Sequence, residues 1–462
     1  MTPETNAAPH AVAVIGAGPA GMYATRMLAA AGHHVVLFNR DLKYGGLAEY
    51  GIFMTKHTMK EGIRKAFRKI LGDPKVVYYG GVKIGGLSDV TLEQVRSAGF
   101  SAVVVAAGAQ GTKELGLPGE HQALGLYHAK DLVYHFNRLP PFATRPFPVG
   151  KRAAIIGMGN VMVDVANFLL NHVKTPEVTV IARRGPAERK YDRKEFEAIA
   201  QYLDLDGLRA EIERVKPMLA AVGQDPETLY REIAADTPEP PQAGQPRLYF
   251  RFLTSPMRVR TDPDGNLKAL VVEENLLAAK GGKISCTGTG RTTELPLDTV
   301  VFAIGDRVDE HLGLPYKGGE FLTTPPPEGS EASYEVLDPA TGKAAPGSYV
   351  VGWSRKASDG LVGKARKDAE AGTERVLRWL SSLPPPTPIA IEAVKARAAE
   401  LVRAQAPYAV TIADIWALEE AEREEAKRRG LEWFKYSRNS EMLDVIGRAR
   451  EARKAQPAAA SR

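Results

Sequence analysis

The chain has 462 residues, with 61 Lys and Arg against 55 Asp and Glu for a net charge of +6, one cysteine, 44 glycines and 32 prolines. Apolar residues at 44% and charged residues at 25% are ordinary for a globular chain and exclude a disordered, collagen-like or disulfide-stapled one. The lone Cys286 excludes an internal disulfide, a CxxC redox pair, a Cys-ligated iron-sulfur cluster and a Cys-based zinc site, so any electrons moved must travel on something bound.

At ~150 residues per domain the length corresponds to about three units. The opening MTPETNAAPH lacks the basic and apolar regions of a signal peptide, and no run reaches the ~18 apolar residues of a membrane span, so the expected location is cytoplasmic. Residues 11–15 form a short continuous apolar run, 22–31 are rich in helix formers, and 35–38 are β-branched and aromatic, which together predict a βαβ unit. Its turn, Gly16-Ala17-Gly18-Pro19-Ala20-Gly21, is a full G-x-G-x-x-G between strand and helix. Gly16 permits the tight turn, Gly18 lets a pyrophosphate approach the backbone, and Gly21 lets the helix sit close to the strand, with phosphates on the helix N-terminus. An acid is expected at the end of the second strand to accept from ribose hydroxyls; Asn39 stands there, a weaker acceptor through its amide carbonyl. Three glycines in residues 45–51 suit backbone packed against a ligand or, equally, a flexible loop.

Residues 59–71 read as an amphipathic helix, and 102–106 as a buried strand ending at Gly108. The same grammar returns at residue 153: an apolar run, the turn Gly157-Met158-Gly159-Asn160-Val161-Met162, a helix over 161–170 and a strand over 178–182. Met162 replaces the third glycine, so this helix is expected to stand further from its strand. After that strand come Arg183 and Arg184, where an acid would read a free 2′-hydroxyl; two arginines suit a 2′-phosphate. Beyond lie a helix-rich stretch to about residue 235, a Pro-rich loop, strands at 247–252, 257–260 and 267–273 with Asp264-Gly265 as a hairpin turn, and further strands at 299–304 and 349–351. A charged tail follows residue 388, its 417–429 portion reading as a solvated helix packed along one stripe. His121, His128 and His135 recur every seven residues, but no fuller ligand set converges on them, so no metal is expected. Two dinucleotide turns, one with a 2′-phosphate reader, predict NADP(H) beside FAD, with hydride passing between them and an electron acceptor outside the chain.

The segments GAGPAG, GGLAEYGIFMTKH, GMGNVMVDVANFLL, IARRGPAERKYDRKEF, RFLTSP, VVFAIG and YVVGW, with the tail YAVTIADIWALEEAE and NSEMLDVIG, follow one another in this order. In these the sequence resembles the adrenodoxin reductase family and the bacterial ferredoxin-NADP reductases similar to it, FAD enzymes that pass electrons from NADPH to small iron-sulfur proteins. The resemblance implies an α/β fold of two Rossmann-like dinucleotide-binding domains with a C-terminal helical tail. The FAD domain is then discontinuous, over 1–109 and 320–383, the NADP domain spans 110–319, and the tail, 384–462, packs on the FAD domain. FAD contacts are implied at Ala20, Leu47, Val82, Trp353, Gly360, Leu361 and Val362, beside Gly16, Gly18, Gly21 and Asn39. NADP contacts are implied at Gly159, Asn160, Val161, Arg183, Arg184, Glu195 and Gly360, beside Gly157. His57 and Asp164 match a His and an Asp assigned to proton handling near the flavin, and are the candidate catalytic residues. The implied partner is a small acidic, ferredoxin-like iron-sulfur protein. Lys60, Arg64, Lys65, Arg68 and Lys69 offer one basic dock for it, and Arg355, Lys356, Lys364, Arg366 and Lys367 another. The family's Arg-Gly-Pro-Thr before the flavin-contacting Gly is replaced by Lys356-Ala357-Ser358-Asp359, which motivates a second reading, a flavin-bearing electron-relay subunit of a larger complex.

Overall fold

All five residues of β1 (Ala11–Ile15) are buried, and they alternate between two cores: Val12 and Val14 face one, Ala13 and Ile15 the other. A period of two with both faces covered is what a central parallel strand requires. The computed structural model describes residues 8–455 except 88, 236, 238–240, 243, 282, 331 and 358–361. It divides into two compact units, the first Met1–Thr112, Asn137–Thr144 and Gly305–Arg462, the second Lys113–Phe136 and Arg145–Ile304.

In the first unit β1 leads through α1 (Pro19–Ala30) to β2 (His34–Asn39), paired in parallel from Ala11↔His34 to Ile15↔Phe38. After α2 (Leu47–Tyr50) and α3 (His57–Leu71), β3 (Val76–Gly80) joins β2, and β4 (Ala102–Val105) pairs with β1 on the other side. Lys343–Val350 extends the sheet beyond β4 in parallel, and Glu335–Asp338 closes that edge antiparallel. Helices Pro388–Gln405, Ile412–Arg428 and Asn439–Ala455 cover it: Ile415, Leu418, Met442 and Ile446 join the core of Val12 and Val14, while Ala398 and Val402 join that of Ala13 and Ile15.

The second unit carries a five-stranded parallel sheet in the order Leu126–His128, Thr299–Phe302, Arg152–Ile156, Glu177–Ile181, Arg247–Arg251. Three antiparallel strands, Thr254–Thr261, Leu267–Lys280 and Lys283–Pro296, stand beside it. The hairpin turn expected at Asp264-Gly265 is present, with Gly265 at φ +84°. Lys283–Pro296 was not expected: none of its residues is buried, so no alternation of apolar side chains announces it.

The chain crosses between units after Thr112, Phe136, Thr144 and Ile304; the first and last of these lie near the 109/110 and 319/320 boundaries that the sequence suggested, and the short return of Asn137–Thr144 to the first unit was not foreseen. Gly111–Thr112 pairs antiparallel with Asp306–Arg307, which places both the outgoing and the returning chain in the first unit. Among the described residues no helix is long and apolar enough to cross a membrane, and no cluster of His, Cys, Asp and Glu could hold a metal.

Candidate functional site

The two glycine turns repeat one construction. Gly16 has φ +106°, and a Cβ there would lie 2.4 Å from the carbonyl oxygen of Ala106, the first residue past β4. Gly157 has φ +122°, and its Cβ would lie 2.3 Å from the carbonyl of Ala303, the first residue past Thr299–Phe302. The Gly16 amide donates to Phe38 at 2.7 Å, and that of Gly157 to Ile181 at 3.0 Å, each the second strand of its βαβ unit. A Cβ at Gly21 would come within 1.8 Å of the Gly16 oxygen, so α1 can pack here only without a side chain. Met162 holds the equivalent place and is fully buried.

Each helix that follows is capped by glycine, Gly18 or Gly159, with no side-chain cap and no acid in the first turn. A Cβ on Gly18 would meet nothing closer than Gly46 Cα at 3.9 Å, and one on Gly159 nothing within 4 Å. Unpaired N–H groups, the positive helix end and open space above them fit a diphosphate at each turn.

Around the first turn, Gly46 Cα packs against Gly18: a Cβ on Gly46 would lie 2.9 Å from Gly18 Cα. The 45–51 segment is therefore not a flexible loop; it includes α2, whose first residue is the half-buried Leu47. Asn39, expected at the ribose, also makes structural bonds of its own. Its Oδ1 accepts the Ala17 amide at 3.1 Å, its Nδ2 donates to the carbonyls of Asp41 and Lys43 at 2.8 and 2.9 Å, and the residue is buried. It latches the glycine turn to the 41–43 loop. Val82 is 1% exposed, so its side chain belongs to the core. Ala20 abuts Gly352, and Trp353 lies in the turn Gly352–Ser354, where the Ser354 hydroxyl accepts the Gly108 amide at 2.9 Å. Val362 begins the helix Val362–Ser381; Gly360 and Leu361 lie outside the described residues. His57 opens α3, half-buried, its ring 4.9 Å from that of Trp433; burial, the largest influence, holds its imidazole below the ordinary value.

Around the second turn, Asn160 Oδ1 accepts the Asp192 amide at 2.7 Å, Val161 is exposed, and Asp164 lies one helical turn beyond Asn160. Glu195 is half-buried in the first turn of Arg193–Ala200. Arg183 is exposed and Arg184 half-exposed, and neither guanidinium pairs with a described carboxylate. Lys190, which sequence reasoning passed over, donates its amide to Met158 at 2.9 Å and carries an exposed ammonium that is likewise unpaired. Three unpaired cations thus accompany the second turn, where repulsion between them makes an anion welcome.

The basic face expected on α3 is largely committed inward. Lys60 is buried, with Nζ 2.5 Å from Asn137 Oδ1; Arg64 forms two 2.7 Å bonds to Glu49; Arg68 reaches Glu419 at 3.0 Å. Only Lys65 and Lys69 stay exposed, so this helix is a poor dock. The charges of helix Ile412–Arg428 are not simply solvated either: Glu419 and Glu422 are buried, Glu419 accepting from Tyr44 at 2.9 Å and Glu422 pairing with buried Lys43. Lys435, also buried, pairs with Glu49 on α2 and sits 4.6 Å from the Tyr50 ring. Sequence reasoning missed Glu49, Trp433 and Lys435; a lysine within the aromatic run Trp433-Phe434-Lys435-Tyr436 was the available signal.

Over residues 10–228 the chain matches the model of the pyridine nucleotide-disulphide oxidoreductase family. It is 27% identical over 470 residues to NADPH-ferredoxin reductase FprA of Mycobacterium leprae, covering 94% of this chain and 98% of that one. It is 28% identical to the mitochondrial NADPH:adrenodoxin oxidoreductase of Arabidopsis thaliana, over 77% and 79% of the two chains. The solved structure of Mycobacterium tuberculosis FprA in complex with NADPH matches with a TM-score of 0.76 at 27% identity, covering 95% of this chain and 99% of that one. The likeness drawn from the sequence motifs is borne out along nearly the whole chain.

Proposed function

We propose that this chain, a flavoprotein reductase of the adrenodoxin reductase type, takes hydride from NADPH onto FAD and passes electrons singly to a ferredoxin-like iron-sulfur protein. The observation that carries the reading is the asymmetry between two otherwise equivalent turns: only the second is accompanied by unpaired Arg183, Arg184 and Lys190.

The first unit holds FAD, with its diphosphate on the α1 N-terminus between Gly16, Gly18 and Gly21, and with Leu47, Trp353 and Val362 beside the remainder. Gly360 and Leu361 join them by resemblance. Bound FAD supplies the conversion of a two-electron hydride into single electrons, which no side chain of this protein could perform. The second unit binds NADPH, its diphosphate on Gly157, Gly159, Asn160 and Val161, its 2′-phosphate on the fork-shaped donors of Arg183 and Arg184. Glu195 orients the nucleotide; by resemblance, His57 of the first unit handles protons near the flavin, and Asp164 of the second unit is assigned to the same proton handling. The acceptor is acidic, and it docks on the exposed Lys364, Arg366 and Lys367 rather than on α3. Location in the cytoplasm accords with the reading.

Purified, flavin-loaded protein should be bleached by NADPH under anaerobic conditions, and much more slowly by NADH at equal concentration. Flavin that neither nucleotide bleaches would point to the electron-relay subunit; equal rates with both would remove the 2′-phosphate argument.

A further inference from the structure

Trp433 and Lys435 lie near the end of the chain, yet they touch α2 and the start of α3 in its first part. The indole ring is 4.9 Å from the His57 ring, tilted by 46°, and the Arg138 guanidinium lies 5.8 Å from it. Two residues on, buried Lys435 pairs with Glu49, whose helix α2 grows out of Gly46, the residue packed on Gly18. Lys435 also lies 5.7 Å from the Trp433 ring, so the two side chains brace each other. A strap meant only to cover apolar surface would use apolar side chains. Burying an ammonium against a carboxylate incurs a desolvation cost of several kcal/mol per ion and stabilises little beyond a hydrophobic substitute, but it fixes one geometry.

We infer that Trp433, fixed by Lys435, is the positioning residue for His57: the C-terminal strap sets the imidazole at the start of α3. The inference rests on the reading above, in which His57 faces the flavin. Without the indole the imidazole gains water and rotational freedom, while its charged neighbours, Lys60 and Arg64 on α3 and Glu432 and Lys435 on the strap, stay in place. A base freed from burial titrates higher.

The test uses the flavin-loaded full chain and the variants W433A, W433L and W433F, with H57Q to assign the imidazole signal. Two quantities are read: the NMR titration midpoint of His57, and the pH profile of flavin bleaching by NADPH. In W433A and W433L the midpoint should rise toward the ordinary ~6.5, with bleaching slowed about tenfold and its profile displaced in step; W433F should retain wild-type behaviour. An unmoved midpoint in folded, flavin-retaining W433A or W433L overturns the inference, as does W433F behaving like W433A. The titration needs no NADPH, so failure of NADPH to bleach wild-type protein counts against the proposed function and leaves this contact separately tested.

Discussion

Replacing Arg183 and Arg184 together by alanine should weaken NADPH binding by about a hundred-fold or more and leave NADH binding nearly unchanged. Each charge-assisted hydrogen bond to a phosphate contributes roughly 1.5–3 kcal/mol, and 1.4 kcal/mol is a factor of about ten. Neither guanidinium has a described carboxylate partner to fall back on, so the loss is not masked by an existing ion pair. Lys190 supplies the contrast. It stands beside the diphosphate turn rather than at the end of the strand, so K190M should weaken NADPH and NADH alike, by about tenfold. Dissociation constants for both nucleotides in the wild type, R183A/R184A and K190M separate the two roles. Parallel losses in R183A/R184A would mean that the pair reads no 2′-phosphate.

The second large effect concerns Glu49. Burial would raise its carboxyl, but the Lys435 ammonium and the Arg64 guanidinium outweigh burial and hold it well below the usual carboxylate range. E49Q leaves buried Lys435 without its carboxylate and Arg64 with Glu61 alone at 3.4 Å, and breaking such a buried set costs roughly 3–5 kcal/mol. All four tryptophans, Trp353, Trp379, Trp416 and Trp433, belong to the first unit, so their fluorescence follows its unfolding alone. The denaturation midpoint should fall markedly in E49Q and recover in part in E49Q/K435M, where one stranded charge is removed as well. A midpoint unchanged in E49Q would show that the network carries no stability. Because the folded carboxyl is depressed, its contribution is present above the unfolded value of ~4.3 and lost as pH falls through the folded one. His33 adds to the same acid sensitivity: burial pushes its imidazole down to about 4, so stability declines as pH falls from ~6.5 through that value.

The two turns were legible because their chemistry is local. Gly16 and Gly157 are required by backbone carbonyls at the end of the neighbouring strand and Gly21 by the Gly16 carbonyl in its own turn, and strand, turn and helix all lie within thirty residues. Asn39 was placed at the end of its strand, but its bonds to the Ala17 amide and to the 41–43 loop were not foreseen, because those partners are set by the folded turn. On α3 the helical period was right and the charge reading was not: Arg64 and Arg68 look solvated until Glu49 and Glu419 are brought beside them, the latter from more than 350 positions away. The same distance hid Lys435. Strand Lys283–Pro296 escaped because an exposed strand has no apolar period to show.

The central claim is that hydride enters from NADPH and electrons leave the flavin one at a time, with no thiol in the path. Cys286 sits half-buried in an exposed strand of the second unit. The most direct test is anaerobic oxidation of NADPH by flavin-loaded C286S protein with a small acidic ferredoxin as acceptor. The account predicts two ferredoxins reduced per NADPH at close to the wild-type rate. A flavin that bleaches while ferredoxin stays oxidised, or ferredoxin reduction that disappears with the cysteine, would contradict it.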